Sequence, residues 1–596
     1  MHPRRLASRF AVARLLRSLV APLALALPPL LWVADATRRA SVTPLGRDQG
    51  IFQYIGWALS RGEHDYRDIR DVNGPLTHLV HRVLLALGGA DEHRFRILDL
   101  VITGATFAVV GACLPGLRSR RAPEVLDRVA WALAAWVVLS GQYLLYGYWD
   151  IAQRESFFDW FMLPSVALQL VAQRSLADHR KAVACDPHAL VRDRGTRLLA
   201  VVGALSVIPC FGKPTYALFT LAQLLAIALD DDLGASRRKA LRAFLLGGVF
   251  GVVSQLAVLF ATGDALAYAR IQVLDVPAMY RFIWPRAAAD IFSNPWCASQ
   301  AIYGILGAVV LQSLVLLREM PRRVIAVALL PVCAVGSVVA QAKGFPYHFH
   351  PVTAGVHLQW LVFAAWLAER TRVSQRRLAL MRLAPIAFGV VVALRVATSM
   401  EDSPYIRAVW LLWGASTPQD RQTREYFAHF PEPDYFPFEL RKTAAYLREH
   451  TSPGDRVQTY GMDPYVLFLA GRLSATPYIY AYDLDADAAM GGGTGGRPDD
   501  DQIAHIRALR DAHEADLLAR LAARPPAAFV FLDKSPLMTR DDAWDDFEEH
   551  CPTTAAWVHG GYREAARFGH DHVWLRDDIS PAESVPTEEE PPGEPP

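Results

Sequence analysis

Long apolar runs recur along most of this chain, and they constrain its fold more than any other feature. About eleven runs approach the length of about 20 residues that a bilayer-crossing helix requires, and the shorter ones need tilt or local thinning. A chain with 52% hydrophobic and 20% charged residues is too apolar for an ordinary soluble protein and too polar to lie in the membrane throughout. The sequence therefore predicts an α-helical polytopic membrane bundle with a second region outside the membrane. The runs begin near Leu19, Ile97, Val129, Phe157, Leu198, Tyr216, Phe244, Ala298, Val324, Val352 and Leu383.

Basic residues cluster in alternate connections between these runs, and they predict the orientation. Loops rich in lysine and arginine remain on the cytoplasmic side, so the N-terminus and every even-to-odd connection should lie inside. An odd number of spans then places everything after about Thr398 on the outer side. The basic clusters include Arg4, Arg5 and Arg9, then Arg118, Arg120 and Arg121, Arg192, Arg194 and Arg197, Arg237, Arg238 and Lys239, Arg322 and Arg323, and Arg376 and Arg377.

The first hydrophobic segment allows two interpretations. Ala34-Asp35-Ala36 resembles a small-residue cleavage site behind a basic leader. We favour an uncleaved helix, because the leader is long and the polar segment that follows gains from being tethered. Cleavage would leave the sidedness of the other spans unchanged.

The composition changes at about Ser399, where apolar runs shorten to strand length. Arg456 to Tyr460 and Ala527 to Leu532 have the length of strands, and Asp501 to Ala523 reads as a helix. We therefore predict a membrane module over residues 1–398, with a first extracytoplasmic loop over 37–96, and an extracytoplasmic α/β domain over 399–578. Residues 579–596 are acidic and rich in proline, which predicts a disordered tail. The glycine-rich segment 491–496 is predicted to be a flexible linker instead of a phosphate-binding loop.

Charge and cysteine content exclude two classes of partner. The net charge is +1, and the arginines cluster in the loops that set the orientation in the membrane. No basic face is left for nucleic acid, so a nucleic-acid partner is not expected. The six cysteines are scattered without C-x-x-C spacing, so neither a zinc–cysteine site nor a disulfide framework is predicted.

One polar segment interrupts the apolar pattern just after the first run: RDQGIFQYIGWALSRGEHDYRDIRDVNGP. Acidic residues beside a membrane are costly unless they face water or a substrate, so the segment indicates an active site at the membrane surface. The competing interpretation is a structural loop whose acids and arginines neutralise each other. The acids are Asp48, Asp65, Asp68 and Asp71, and they alternate with Arg47, Arg61, Arg67 and Arg70.

The residues after this segment have the apolar spacing of an amphipathic helix. Leu76, Leu79, Val80 and Val83 follow the i, i+3, i+4, i+7 rhythm, and Asn73-Gly74-Pro75 supplies a turn before them. We expect this helix to lie along the interface instead of crossing the membrane.

Three further connections on the predicted outer side carry ionisable groups. Each could be only an interfacial belt of aromatic and polar residues or, for the lysine, a snorkelling cap. Their shared sidedness favours convergence on one cavity, which is what a reaction site needs. The groups are Asp150, Arg154 and Glu155 in one loop, Lys213 at a helix break before Pro214, and Lys343, His348 and His350 in the third.

These loops resemble the multi-spanning GT-C glycosyltransferases, and most closely the bacterial branch akin to protein O-mannosyltransferases and lipid A aminoarabinose transferases. The resemblance rests on Arg47-Asp48-Gln49-Gly50, then Tyr66-Arg67-Asp68, then Asp71-Val72-Asn73-Gly74-Pro75-Leu76, and later on Lys343-Gly344-Phe345-Pro346-Tyr347-His348. It covers most of the membrane region and is weak in the outer domain. It implies inverting transfer of a sugar from a polyprenyl-phosphate carrier on the outer face of the membrane.

The resemblance also implies roles for individual residues. Asp48 matches the position of the general base, which takes a proton from the acceptor hydroxyl. Lys343, His348, His350, Arg154 and Lys213 are the predicted partners of the donor phosphate, and Tyr66, Arg67, Asp68, Asp71, Asn73 and Pro75 form the first-loop motif. Many relatives have two adjacent acids where this chain has Asp48-Gln49, so a second acid is expected from Asp150 or Glu155. Without a dense acidic cluster here, we predict no metal and no other cofactor.

The sequence thus predicts a glycosyltransferase of the inner membrane whose partners are a polyprenyl-phosphate sugar, a cell-envelope acceptor and membrane lipids. The sugar and the acceptor, which could be a glycan, a lipid or a protein, stay open. One alternative is a transporter or flippase for a lipid-linked saccharide, although its ionisable groups should lie near the bilayer midplane on broken helices. Another is a non-catalytic envelope protein that binds glycan, although an anchor does not need eleven spans.

Overall fold

The computed structural model describes residues 27–117, 125–185, 193–370 and 419–579. Within them the chain up to residue 370 is helical, and a five-stranded sheet lies in the C-terminal part. The predicted span near Leu383, the domain boundary at Ser399 and the tail from 580 lie outside the described residues. Only the first part of the predicted span near Leu19 does so, because residues 27–40 are described as a helix.

The N-terminal part consists of twelve main helices among the described residues. They are α1 (27–40), α2 (Arg47–Ser60), α3 (Pro75–Gly88), α4 (Glu92–Cys113), α5 (Val125–Leu144), α6 (Arg154–Cys185), α7 (Arg194–Val207), α8 (Ala217–Leu229), α9 (Arg237–Thr262), α10 (Pro295–Leu316), α11 (Ile325–Gln341) and α12 (His350–Arg370). Short helical turns join several of them, among them Gly147–Asp150, Pro214–Tyr216, Asp231–Ser236, Ile271–Asp275, Tyr280–Phe282, Ala288–Ile291 and Pro346–Phe349.

Six helical segments of the described chain are long and apolar enough to cross a membrane: Glu92–Cys113, Arg194–Phe211, Asp231–Thr262, Pro295–Leu316, Arg322–Gln341 and Pro346–Arg370. Each coincides with a predicted span. The span predicted near Tyr216 is the shorter apolar helix Pro214–Leu229. Helices α5 and α6, predicted as spans, are long but are not among these six, and α6 carries charged residues along its length. The chain therefore contains a membrane-embedded helical module, with six of the eleven predicted spans confirmed by length and composition.

The connections between these helices gather at two opposite ends of the bundle. At one end Arg323 donates to the carbonyl of Leu117 at 2.7 Å, and Arg322 pairs with Asp231 at 2.9 Å. At the other end Gln341, the last residue of α11, accepts from the ammonium of Lys213. Because α11 joins the two ends, the basic connections and the predicted site are separated by the length of a helix.

The C-terminal part is an α/β unit built on a mixed sheet. Its strands are β1 (Arg456–Tyr460), β2 (Leu473–Ser474), β3 (Ala528–Leu532), β4 (Tyr562–Phe568) and β5 (Asp571–Arg576), in the order β2-β1-β3-β5-β4. β1 runs parallel to β2 and β3, and β5 runs antiparallel to β3 and β4. The helices are α13 (Pro437–His450), α14 (Asp500–Ala523), α15 (Ala543–His550) and α16 (Pro552–His559), with short turns that include Tyr465–Ala470, Ala481–Asp483 and Asp487–Gly491. Strand β3 is wholly buried, which explains its continuous apolar run.

The α/β unit packs directly on the first loop through buried ion pairs. Arg47 binds the carboxylate of Asp463 at 2.9 Å, and Arg70 binds Asp483 at 2.9 Å while also pairing with Asp275 at 2.9 Å. The ring of Tyr465 lies against Gly50, where an added Cβ would come within 2.8 Å of the ring. The first loop is therefore enclosed between the bundle and the α/β unit, which is called the outer unit below because it packs over this end of the bundle.

The glycine-rich segment forms a docked turn, and the predicted flexible linker is wrong in this respect. Gly493 pairs with Gly496, and the amide of Gly495 donates to the carbonyl of Pro285 at 2.8 Å. An added Cβ at Gly495 would meet the backbone of Arg286 at 2.8 Å. Glycine permits this close backbone approach, and the segment has no phosphate-binding helix behind it.

Candidate active site at the first loop

Asp48 lies in the first turn of α2, at one end of the bundle. Gly46 caps this helix, and its amide donates to the side-chain carbonyl of Gln49 at 2.8 Å. The side-chain amide of Gln49 in turn donates to the backbone carbonyl of Tyr148 at 3.0 Å. This contact fixes the start of α2 against the loop before α6. A carboxylate is favoured at a helix N-terminus, and the Asp48 side chain keeps 30% of its surface exposed. It is thus held in place and accessible.

Arg154, the first residue of α6, lies beside this acid. Its guanidinium is 3.5 Å from the Asp48 carboxylate and is almost buried. It also donates to the side-chain oxygen of Asn73 and to the hydroxyl of Tyr347, and it lies 5.0 Å from the centre of the Tyr347 ring. Arg154 therefore joins three predicted segments, which are the acid of α2, the Asn-Gly-Pro turn and the loop before α12.

Glu155, the next residue, forms a second group with Lys213 and His348. The fully buried Glu155 carboxylate accepts from the Lys213 ammonium, and His348 Nε2 lies 3.2 Å from that ammonium and 3.6 Å from the carboxylate. Burial lowers the pKa of Lys213 to about 8, and Arg154 acts in the same direction against the opposing effect of Glu155. The ion pair with the Glu155 carboxylate favours the charged form of Lys213. Nδ1 of His348 and Oε2 of Glu155 are buried without a hydrogen-bond partner among the described residues.

Lys343 lies between Ala342 and Gly344, which both adopt left-handed backbone conformations, with φ angles of 52° and 65°. Its ammonium donates to the carbonyls of Tyr280, at 3.2 Å, and Ile283. It also lies 4.8 Å from the centre of the Tyr280 ring. Burial lowers the pKa of Lys343 to about 8, with a further contribution from Lys213. Two of its three protons are used by carbonyls, and its role as a phosphate partner stays a prediction.

Asp150 and His350 form a pair set apart from Lys213. His350 Nε2 contacts the backbone carbonyl of Asp150 at 2.8 Å, and its ring stacks on Tyr146 with centroids 3.8 Å apart. Burial raises the pKa of Asp150 to about 8, and the negative charge of Asp48 adds to the effect. Asp150 is thus a candidate for a protonated acid near Asp48, whereas the contacts of His350 point to packing.

The first-loop motif divides into a buried and an exposed half. Asp71 is fully buried and accepts from the amide side chain of Asn73 at 2.8 Å, so it orients the group that binds Arg154. The hydroxyl of Tyr66 donates to the carbonyl of Asn73 at 2.7 Å, and Pro75 is the first residue of α3. In contrast, Arg67 and Asp68 pair with each other at 2.8 Å on the surface, and their predicted part in the site stays untested.

His78 is a buried residue that the sequence reasoning did not single out. Its Nδ1 lies 2.8 Å from the carboxylate of Asp65, and its Nε2 lies 2.8 Å from that of Asp71. Burial disfavours the charged ring, but the two carboxylates outweigh it and raise the pKa of His78 to about 10. The imidazolium therefore supports Asp71, and through Asn73 it supports Arg154. Its place three residues after Asn73-Gly74-Pro75 was the available signal.

The outer unit contributes tyrosines to the same region. Tyr480 and Tyr482 stack with ring centroids 5.0 Å apart, and Tyr482 lies 6.0 Å from Tyr280. Burial raises the pKa of Tyr480, and the charges of Asp71 and Asp48 act in the same direction. Tyr480 therefore remains a protonated hydrogen-bond donor close to the candidate base.

Groups of acids and histidines that are close enough to share a metal ion occur in the outer unit of the described chain, as Asp485 with Asp546 and His550, and as Asp533 with Asp542 and His572. Neither group includes Asp48, Asp150 or Glu155. The expectation that transfer needs no metal or other cofactor stays a prediction.

No protein-family model and no curated protein matches this chain. Solved structures similar to it include ArnT from Cupriavidus metallidurans bound to undecaprenyl phosphate, with 13% identity, a TM-score of 0.47 and coverage of 94% of this chain and 98% of that one. The archaeal oligosaccharyltransferase AglB from Archaeoglobus fulgidus, in complex with an inhibitory peptide and a dolichol-phosphate, has 13% identity, a TM-score of 0.39 and coverage of 94% and 75%. The Archaeoglobus fulgidus oligosaccharyltransferase in the apo form has 12% identity, a TM-score of 0.40 and coverage of 92% and 80%.

Proposed function

We propose that this chain is a GT-C type membrane glycosyltransferase that moves a sugar from a polyprenyl-phosphate donor to an envelope glycan, lipid or protein. The observation that carries the proposal is the juxtaposition of a partly exposed acid, Asp48, with the cations Arg154 and Lys213 at one end of an apolar bundle. Transfer of a sugar from a phosphate needs a base for the acceptor hydroxyl and positive charge for the departing phosphate.

The proposed step is an inverting displacement. The acceptor hydroxyl gives its proton to the Asp48 carboxylate while its oxygen bonds to the anomeric carbon. The bond from that carbon to the phosphate oxygen breaks, and polyprenyl phosphate leaves with the electron pair. Arg154 can grip two phosphate oxygens and Lys213 can act as a compact charge, so both stabilise the leaving group.

The position of the charges also supports the choice of donor. A sugar linked to an isoprenoid must be held with its chain in lipid and its head in water. Exposed apolar side chains on α9, such as Leu246, Val249 and Phe250, provide a surface for lipid, and the ionisable groups lie at the end of the helices. A transporter would be expected to place such groups nearer the middle of its helices.

We further propose that the site faces outward from the inner membrane, with the N-terminus in the cytoplasm. The arginine distribution carries this proposal. The outer unit then lies above the site, where Tyr480 and Tyr482 can contact the acceptor and influence its selection.

The test compares Asp48→Asn with Asp511→Asn, a matched change at an exposed acid of α14 that pairs with Arg510 on the surface. The purified chain in liposomes is given a panel of polyprenyl-phosphate hexoses and pentoses with an envelope fraction as acceptor, and release of polyprenyl phosphate is measured. Loss of a positioned base should slow release by about 10²- to 10⁴-fold, and Asp511→Asn should behave as wild type.

Wild-type rates in Asp48→Asn, with the protein correctly inserted, would show that Asp48 is not the base. Movement of an intact lipid-linked sugar across the bilayer, without release of polyprenyl phosphate, would show that the protein is a flippase instead of a transferase.

A further inference from the structure

Three carboxylates and one imidazole converge in the outer unit, away from the site described above. His550 Nε2, at the end of α15, lies 3.5 Å from Asp485, 3.7 Å from Asp487 and 3.9 Å from Asp546. Asp485, Asp546 and His550 are all buried.

None of these three separations has the length of a hydrogen bond. The ring nitrogen has its hydrogen-bond contact with the hydroxyl of Thr539 at 3.0 Å instead. Ligands that share a Zn²⁺ ion at about 2.0 to 2.2 Å in tetrahedral geometry are about 3.4 Å apart. The ligand atoms of Asp485, Asp546 and His550 all lie within 4.8 Å of one another, so a small rearrangement would place these three groups around one cation.

Asp485 provides a second, independent observation. The side chain is fully buried, and one carboxylate oxygen accepts from the amide of Asp487 at 2.8 Å. The other oxygen, Oδ2, is buried with no hydrogen-bond partner among the described residues. A buried carboxylate oxygen without a partner is costly, and a cation would satisfy it.

Asp546 is held in place by an outer layer of hydrogen bonds, as metal-binding carboxylates usually are. Its Oδ1 accepts from the amides of Thr539 and Arg540, at 3.1 and 3.0 Å. Its Oδ2 accepts from the hydroxyl of Tyr460 on β1 at 2.7 Å.

The group formed by Asp533, Asp542 and His572 differs from this cluster, because it contains no buried oxygen without a partner among the described residues. Both ring nitrogens of His572 are engaged, by Asp533 and by Glu564, each at 2.9 Å. Asp542 caps α15 by accepting from two backbone amides. These partners satisfy the group internally, which makes it a suitable control.

We propose that Asp485, Asp546 and His550 form a binding site for a divalent cation of the Zn²⁺ or Mn²⁺ class, for which carboxylate oxygens with one imidazole are suitable ligands. Asp483, two residues before Asp485, pairs with Arg70 of the first loop at 2.9 Å. A cation bound here would fasten the segment 483–487 to α15 and so stabilise the face that the outer unit presents to the first loop. The site has a structural role, and the proposal does not depend on the transferase activity.

The test measures cation binding by the full-length chain in detergent, purified with a tag that lacks histidine and stripped with a chelator. Zn²⁺ and Mn²⁺ are titrated in competition with a chromophoric chelator, and the midpoint of thermal unfolding is recorded with and without cation. We expect about one equivalent per chain and a higher midpoint in its presence. Loss of a residue that only supports a metal ligand weakens binding by about 10- to 100-fold. Asp485→Asn and His550→Gln remove ligands, so each should weaken binding by at least that factor.

His572→Gln should bind the cation as wild type does. The proposal fails if the stripped wild-type chain takes up neither cation, a result that does not require any variant to fold. It also fails if Asp485→Asn and His550→Gln, folded by circular dichroism, bind as tightly as wild type.

Discussion

At the scale of single residues, the candidate site depends on buried charges that support one another. His78 lies between the carboxylates of Asp65 and Asp71, and Asp71 orients Asn73, which accepts from Arg154. This chain of contacts connects a fully buried imidazolium to the exposed acid of α2. Loss of one member should therefore affect groups that it does not touch.

His78→Gln is expected to destabilise the protein by about 3 to 5 kcal/mol, because it leaves two buried carboxylates without their cation. Since folding raises the pKa of His78 to about 10, its contribution is fully present below its unfolded value of about 6.5 and is lost as the pH rises through about 10. Thermal unfolding in detergent at about pH 6 and about pH 10 should thus show a difference between wild type and variant that shrinks at the higher pH.

The matched control for this change is His64→Gln. The His64 side chain is 46% exposed and lies 3.4 Å from Asp68, so its loss should alter stability by no more than about 0.5 kcal/mol. Equal stability of the two variants would contradict the proposed support of the site by His78.

Lys343→Met is expected to weaken binding of polyprenyl phosphate, because the phosphate loses a charge-assisted partner worth roughly 1.5 to 3 kcal/mol. That is about a 10- to 150-fold increase in Kd, measurable with a fluorescent polyprenyl phosphate in detergent. Lys442→Met changes an exposed lysine of α13 and should leave the affinity unchanged. Wild-type affinity in Lys343→Met would show that Lys343 does not bind the phosphate and that its role is limited to its contacts with the carbonyls of Tyr280 and Ile283.

The sequence could predict some of these contacts and not others. Asp48, Arg154, Glu155 and Lys213 are brought together as their charge and shared sidedness indicated. The position of His78 required knowing that α3 folds back over its own preceding loop. The surface location of Arg67 and Asp68 could not be predicted either. Charged residues that are adjacent in a loop follow no repeating pattern that distinguishes buried from exposed positions.

At the scale of secondary-structure elements, strands and helices with a clear hydrophobic pattern were predicted closely. The predicted strands at Arg456 and Ala527 and the predicted helix at Asp501 correspond to β1, β3 and α14 within one residue. The docked turn at 491–496 was not predicted, because its order comes from the backbone of Pro285 and Arg286. Contacts so distant in the sequence leave no local signal.

Gly344→Ala tests the turn that presents Lys343. With φ at 65°, an added Cβ lies 2.7 Å from Cγ1 of Ile291, and a left-handed residue with a Cβ costs about 1 to 2 kcal/mol. We expect the turn to shift, and polyprenyl-phosphate binding to weaken in the same direction as in Lys343→Met. Gly454→Ala, where an added Cβ has nothing within 4 Å, is the control. Binding as tight as wild type in Gly344→Ala would show that the conformation of this turn does not matter to the donor.

At the scale of the whole molecule, the bundle has one end rich in basic connections and another that carries the candidate site. Arg322 and Arg323 lie with Leu117 and Asp231 at the first end. Lys213, Glu155 and His348 lie at the second. The alternation of basic loops predicted this separation, since successive spans must reverse direction. The side of the membrane that each end faces comes from the arginine bias alone.

A labelling experiment decides that orientation. All six cysteines are first replaced, and a single cysteine is then placed either at Ala522 on α14 or at Ala235 in the turn before α9, both of which are exposed. Because positive loops remain cytoplasmic, a membrane-impermeant thiol reagent on intact spheroplasts should label Ala522→Cys and miss Ala235→Cys. Lysis of the spheroplasts should make both positions reactive, which controls for accessibility. Labelling of Ala235→Cys before lysis would show that the bundle has the opposite orientation, with the candidate site facing the cytoplasm.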